Sequence, residues 1–162
     1  MDIKIIYEEI TLPIEYNIIL GQSHFIKTVE DLYEIIVNSV PKAEFGLAFN
    51  EASGKCLVRK DGTDTTLIEL AAQNIKKIGA GHTFLIILKN IFPINILPSI
   101  KQCREVVNIY CATANPVQVI LAETEQGRGI LGVVDGYSPK GIENDIESSN
   151  RKVFLRNIGY KR

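Results

Sequence analysis

Residues 28–41 constrain the chain most. Val29, Leu32, Tyr33, Ile36, Val37 and Val40 follow the i, i+3, i+4, i+7 spacing that gathers apolar side chains on one stripe of a helix. Thr28 stands where an N-cap belongs, Glu30 and Asp31 suit the positive end of the helix dipole, and Pro41 stops the far end. Such a stripe must be buried against another element. Short apolar runs on either side, about Tyr16–Leu20 and Glu44–Phe49, read as the strands that receive it.

The same logic recurs. Met1–Ile10 alternates, with Ile3, Ile5 and Tyr7 on the expected buried face, and reads as a first strand. Cys56–Lys60 is a strand, followed by a helix over Thr65–Ile78 with Asp64 or Thr63 as cap and Gly79 past its end. Thr83–Leu88 is a buried strand. A helical piece over Asn95–Cys103 tolerates Pro98 only near its first turn. Beyond it the rhythm changes: Val106–Tyr110, Val117–Ala122 and Ile130–Val134 are strand-like, and a helix over Ser149–Asn157 closes the chain. Strands alternating with helices and then strands in succession predict an α/β fold. The expected form is a single-domain layered sandwich over residues 1–162, a mixed β-sheet covered by helices.

Composition narrows the function. The 162 residues, 46% hydrophobic and 23% charged, suffice for a core without disulfide staples. A net charge of −1 argues against a general nucleic-acid binder. Apolar runs such as Phe84–Leu88 fall far short of the roughly 20 residues of a membrane span. The Met1–Lys4 start has no basic n-region, so the expected location is the cytoplasm. Cys56, Cys103 and Cys111 form no C-x-x-C pair and read as reduced small hydrophobes; no metal site is expected of them. One methionine, no tryptophan and abundant isoleucine fit a heat-adapted source.

Two phosphate motifs nearly appear. Ser53-Gly54-Lys55-Cys56 resembles the end of a P-loop, but Phe49 replaces its first glycine and Cys56 the magnesium-binding hydroxyl. Gly127-Arg128-Gly129-Ile130-Leu131-Gly132 matches G-x-G-x-x-G in form but leads into a strand, whereas the dinucleotide fingerprint opens a helix.

The two histidines carry more. His24 lies before the best helix, where free amide hydrogens and the dipole favour an anion, with Lys27 adding positive charge. His82 follows Gly79-Ala80-Gly81 at the beginning of a strand, away from the carboxyl ends where α/β sites gather. Polar loops supply further candidates: Glu51, Ser53 and Lys55 in one, Asn115 in another, Glu125 and Arg128 in a third. An arginine among glycines can clamp a phosphate, and a carboxylate can hold a ribose or magnesium. Asp135 suits the tight turn with Gly136.

The segments Gly21–Tyr33, Phe45–Lys55, Ile78–His82, Asn90–Asn95, Tyr110–Pro116, Glu123–Gly136 and Phe154–Tyr160 resemble the adenosine-specific kinase family, a small and mainly archaeal and bacterial group once classed as a domain of unknown function. The resemblance implies binding of adenosine and AMP rather than ATP, a stably phosphorylated histidine and a compact α/β fold. It leaves the modified histidine open between His24 and His82. The expected activity is nucleoside phosphotransfer, with His24 as nucleophile, Lys27, Arg128 and the helix amides near Thr28 neutralising charge, and Glu51 or Glu125 orienting the ribose or taking the acceptor proton. Gly21, Gln22, Thr28, Ser53, Lys55, Asn115, Glu125 and Arg128 are the expected ligand-binding residues. The sequence assigns no cofactor; the candidate is Mg2+ arriving with a phosphoryl donor. The alternative is an adenosine or AMP sensor without turnover. The expected state is a homo-oligomer, because polar loops from several strand ends can meet across a subunit interface.

Overall fold

A computed structural model of the chain describes residues 2–13 and 15–159, so Met1 of the first expected strand and Tyr160 of the closing segment lie outside it. In chain order the elements are β1 (Lys4–Ile10), β2 (Asn17–Ser23), α1 (Thr28–Ser39), β3 (Phe45–Asn50), β4 (Val58–Gly62) and α2 (Thr65–Ile78). Then follow β5 (Thr83–Leu88), α3 (Pro93–Gln102), β6 (Val106–Thr113), β7 (Val117–Glu123), β8 (Arg128–Asp135) and α4 (Asp145–Asn157). Five strands form one sheet in the order β4-β3-β5-β2-β6, and three form another in the order β1-β7-β8.

The α/β layering is as expected, but the pairing is not mixed. Every ladder in both sheets is antiparallel. The parallel element is an isolated bridge between Ala80 and Arg128.

All six residues of β3 and of β5 are buried, because the five-stranded sheet is covered on both faces. Period-two alternation divides their side chains. Ile19, Leu47, Phe49, Phe84 and Ile86 face one cluster with Leu32 and Ile36 of α1 and Ile96 and Ile100 of α3. Ile18, Leu20, Ala48, Leu85 and Ile87 face the other, with Leu67, Ala71, Ile75 and Ile78 of α2 and Val117, Val119 and Leu121 of β7. The smaller sheet and α2 therefore share one side of the larger sheet.

Local sequence explains most element ends. Asp64 Oδ1 accepts from Leu67 N at 3.0 Å, and Gly79 ends α2 in the left-handed region at φ 67°. A Cβ at Gly46 would overlap the Leu67 carbonyl, so glycine there lets β3 lie against the backbone of α2.

Other ends depart from the sequence reading. Thr28 is the first residue of α1 rather than its cap; its hydroxyl turns inward to Ser23 Oγ at 2.8 Å and Phe25 O. α3 begins two residues earlier than expected, at Pro93, which leaves Pro98 inside the helix rather than in its first turn. α4 begins at Asp145 because Asn144 and Glu147 form a reciprocal capping box. In β1 the faces are reversed: Ile6 and Ile10 pack on the core, while Ile3, Ile5 and Tyr7 point outward. No helix among the described residues is long and apolar enough to cross a membrane.

Candidate functional site

Antiparallel pairing brings the start of β5 beside the ends of its neighbours. Gln22 pairs with Thr83, and Phe49 pairs with Phe84, so β2 and β3 finish where β5 begins. The loop from Gly79 to His82 fills the corner between them. His82 N donates to Asn50 O at 2.8 Å, and Ser23 N donates to His82 O at 2.9 Å. Asn50 is itself buried; its side-chain amide donates to Ile75 O and Ala80 O at the end of α2.

This corner is one wall of a cleft of about 730 Å³, within the usual size of a small-molecule site. Gln22, Glu51, His82, Thr124, Gln126 and Arg128 are among its lining residues. They come from segments as far apart in the chain as β2 and β8. His82 was expected to lie away from the site because α/β sites gather at the carboxyl ends of strands. In an antiparallel sheet a strand's beginning and its neighbours' ends share one edge, so His82 belongs with Gln22 and Asn50.

His82 is held in an unusual state. Its φ of 57° lies in the left-handed region, which costs a non-glycine residue of order 1 kcal/mol. Its ring lies nearly parallel to that of buried Phe49, with centroids 5.8 Å apart. The backbone hydrogen bonds hold the loop, and the ring stacks on Phe49 at the cleft wall.

Two charged pairs border the same space. Glu51, its side chain 8% exposed, accepts from Arg59 Nε at 2.8 Å, and Ser53 Oγ donates to it at 3.3 Å. Arg128 donates from Nε to Glu123 at 2.7 Å and from Nη1 to Lys77 O at 3.0 Å, with Glu8 at 3.5 Å. The guanidinium is thus oriented by carboxylates before any ligand arrives. Gln22 Oε1 accepts from the Tyr110 hydroxyl at 3.0 Å, which leaves its amide hydrogens available.

The other predicted residues fall elsewhere. His24 is exposed, with Nε2 3.3 Å from Arg104 O, and Lys27 bridges Asp31 at 2.9 Å and Glu105 at 3.2 Å. That network borders a separate cavity of about 540 Å³ lined by Lys27, Asp31, Cys103 and Glu105. Glu105 is buried; the Cys103 thiol at 3.1 Å, with Asp31 and Lys27, brings its carboxyl down to about 2. Burial pushes the Cys103 thiol up, and the hydrogen bond to Glu105 adds to this. Asp31, Cys103 and Glu105 are the group among the described residues whose ligand atoms are close enough for a cation. The Lys27 ammonium already binds both of its carboxylates.

Thr28 is buried in the first turn of α1, and Gly21 lies within β2 against Phe84. Ser53 and Lys55 are exposed in the β3–β4 loop, and Glu125 is exposed in the β7–β8 turn. Asn115 sits at the opposite end of β7, where it and Thr113 bind Asp135 at 3.1 and 2.8 Å. Tyr110, Arg59 and Asn50 were absent from the sequence reading as site residues. Their roles depend on partners 88, 8 and 25 residues away along the chain, and of these only Arg59–Glu51 is local enough for a spacing argument.

Comparison with known proteins adds two positive findings. The model of the family described as Adenosine specific kinase matches residues 8–161. The crystal structure of the PH1918 protein from Pyrococcus horikoshii OT3 is similar at 45% identity, with a TM-score of 0.95, over 99% of each chain. No curated protein matches the chain.

Proposed function

The chain belongs to the adenosine-specific kinase family, and from that premise we propose that it binds adenosine or AMP in the cleft between β2, β3, α2 and the β7–β8 turn, with His82 carrying the phosphoryl group. The observation that supports this reading is the placing of His82. An imidazole stacked on Phe49 lines the cleft beside Gln22, Glu51 and Arg128, whereas His24 is exposed on the Arg104 carbonyl.

An imidazole nitrogen of His82 attacks the terminal phosphorus of a donor, and the bond from that phosphorus to the donor's bridging oxygen breaks. The leaving group departs with the electron pair. The adenosine 5′-oxygen then attacks the phosphohistidine, the P–N bond breaks, and the hydroxyl proton passes to Glu51. Arg128 stabilises the charge on the transferring oxygens. Gln22 is placed to donate to a purine ring nitrogen. Any Mg2+ would arrive with the donor's phosphates and supply charge neutralisation there, since Glu51, the carboxylate among the lining residues, is bound by Arg59.

A second reading rests on Arg128. Its guanidinium is already engaged by Glu123 and Glu8, which leaves less positive charge for a phosphate and suits a nucleoside sensor without turnover. Incubation with adenosine and a γ-labelled nucleoside triphosphate, following AMP and acid-labile protein label, separates the two. Label lost in His82→Gln and kept in His24→Gln supports the proposal. The reverse pattern moves the nucleophile to His24, and adenosine binding without label or AMP supports the sensor.

A further inference from the structure

Three side-chain amides line the cleft, those of Gln22, Asn50 and Gln126. The Asn50 amide nitrogen is taken up by Ile75 O, Ala80 O and Thr83 Oγ1. Gln126 is exposed in the β7–β8 turn, where water competes for it. Gln22 is half-buried, and one end of its amide is occupied: Oε1 accepts from the Tyr110 hydroxyl at 3.0 Å.

Tyr110 reaches Gln22 through an irregularity in the sheet. Leu20 pairs with Cys111 and Gly21 with Ile109, so Tyr110 is the extra residue of a β-bulge on β6. A bulge re-aims the side chain it carries. Tyr110 packs against the core on the side of α2 and β7, which restrains its ring. Burial pushes the phenol's pKa up, and a hydrogen bond with the Asn108 side chain acts the other way. A partner that lowers a phenol's pKa is one that donates to its oxygen, so the hydroxyl hydrogen is left for Gln22.

That polarity bears on which base the cleft accepts. A glutamine free to turn over reads both kinds of purine, because one end of its amide donates and the other accepts. With Nε2 toward the base it donates to the N1 lone pair of a 6-aminopurine. Turned over, its oxygen accepts the N1–H of a 6-oxopurine. Turning Gln22 over would deprive the Tyr110 hydroxyl hydrogen of its acceptor. Resting on the reading that the cleft binds adenosine, we propose that Gln22 reads the N1 edge of the base and that Tyr110 is the positioning residue that holds its NH2 group toward the ligand. The site then favours 6-aminopurine nucleosides over 6-oxopurine ones. Adenosine meets a donor at N1, and Oε1 keeps a second lone pair for its 6-amino group. Inosine meets donor against donor at N1 and oxygen against oxygen at position 6.

Calorimetric titration of the full chain with adenosine and with inosine, which share a ribose and differ at positions 1 and 6, tests this. The native chain is expected to bind adenosine at least about tenfold more tightly. Tyr110→Phe keeps the ring and removes the hydroxyl. It should cut the preference about fivefold, chiefly by tightening inosine, because the amide is then free to turn. Gln22→Glu, which can only accept, should invert the preference. A merely structural Tyr110 would weaken both nucleosides alike and leave their ratio unchanged, and that result overturns the proposal. Equal binding of the two nucleosides by the native chain overturns it too, while the adenosine reading stands. Binding of neither nucleoside overturns that reading and this proposal with it.

Discussion

Asn50 and Ile75 are joined by a buried hydrogen bond of 2.8 Å, from the side-chain amide at the end of β3 to a carbonyl oxygen in the last turn of α2. The same amide reaches Ala80 O at 3.0 Å. One side chain therefore ties a strand, a helix end and the loop that presents His82.

Asn50→Ala leaves both carbonyls short of a donor in a site that water reaches poorly. The expected loss is about 2 kcal/mol of unfolding free energy, read from urea denaturation. Adenosine affinity should fall with it, because the His82 loop loses its anchor. Unchanged stability would show that water replaces the amide at no cost.

Glu105 makes stability depend on acid. Its folded pKa of about 2 lies below the ordinary 4.5, mainly through the Cys103 thiol and then Asp31 and Lys27. A depressed carboxyl stabilises the fold fully above its unfolded pKa, and that contribution fades as the pH falls from about 4.5 toward 2. Thermal melts across this window should show a steeper decline for the native chain than for Glu105→Gln. Equal slopes would assign the acid sensitivity to other groups.

The cysteines should react unequally. Cys56 is exposed and lines the cleft. Burial pushes Cys111 up to about 11, with Asp135 adding to it, and Cys103 is raised as well. A thiol reagent at pH 8 is expected to modify Cys56 alone in the folded chain and all three after unfolding. Adenosine in the cleft should slow the first reaction. A second fast thiol in the folded chain would contradict this burial.

Gly21 is expected to matter for packing rather than for ligand contact. A Cβ there would overlap the Phe84 ring and come within 2.7 Å of Asn108 O. Gly21→Ala should cost about 1–3 kcal/mol, with adenosine affinity per folded molecule unchanged. A pure affinity loss at native stability would return Gly21 to the site.

The first two helices were legible because their signals are local. The stripe from Val29 to Val40, the Asp64 cap and the Gly79 stop all act within a few residues. β5 was read to the residue, since Thr83–Leu88 is a continuous apolar run bounded by turn residues. Strand direction was not legible: the helices between early strands suggested parallel crossovers, whereas here they cap faces between antiparallel neighbours. That single difference moved His82 from a sheet's quiet edge to the cleft. β1 was misjudged by face, because Ile3, Ile5 and Tyr7 look like core residues and instead form part of an outward apolar surface. Glu51 was singled out through its polar loop and Gln22 through the family resemblance, and both line the cleft. Tyr110 and Asn50 were not singled out, because their partners come from remote parts of the chain.

The cleft's construction has a thermodynamic corollary. Gln22, Glu51, His82 and Arg128 are strangers in sequence and neighbours only in the completed fold, so the unfolded chain has nothing with which to hold a nucleoside. Any molecule that fills the cleft draws the whole population toward the native state, by about 2.7 kcal/mol at a hundredfold excess over its dissociation constant. Under the proposed function the melting temperature is expected to rise with adenosine concentration, which thermal melts at graded adenosine check.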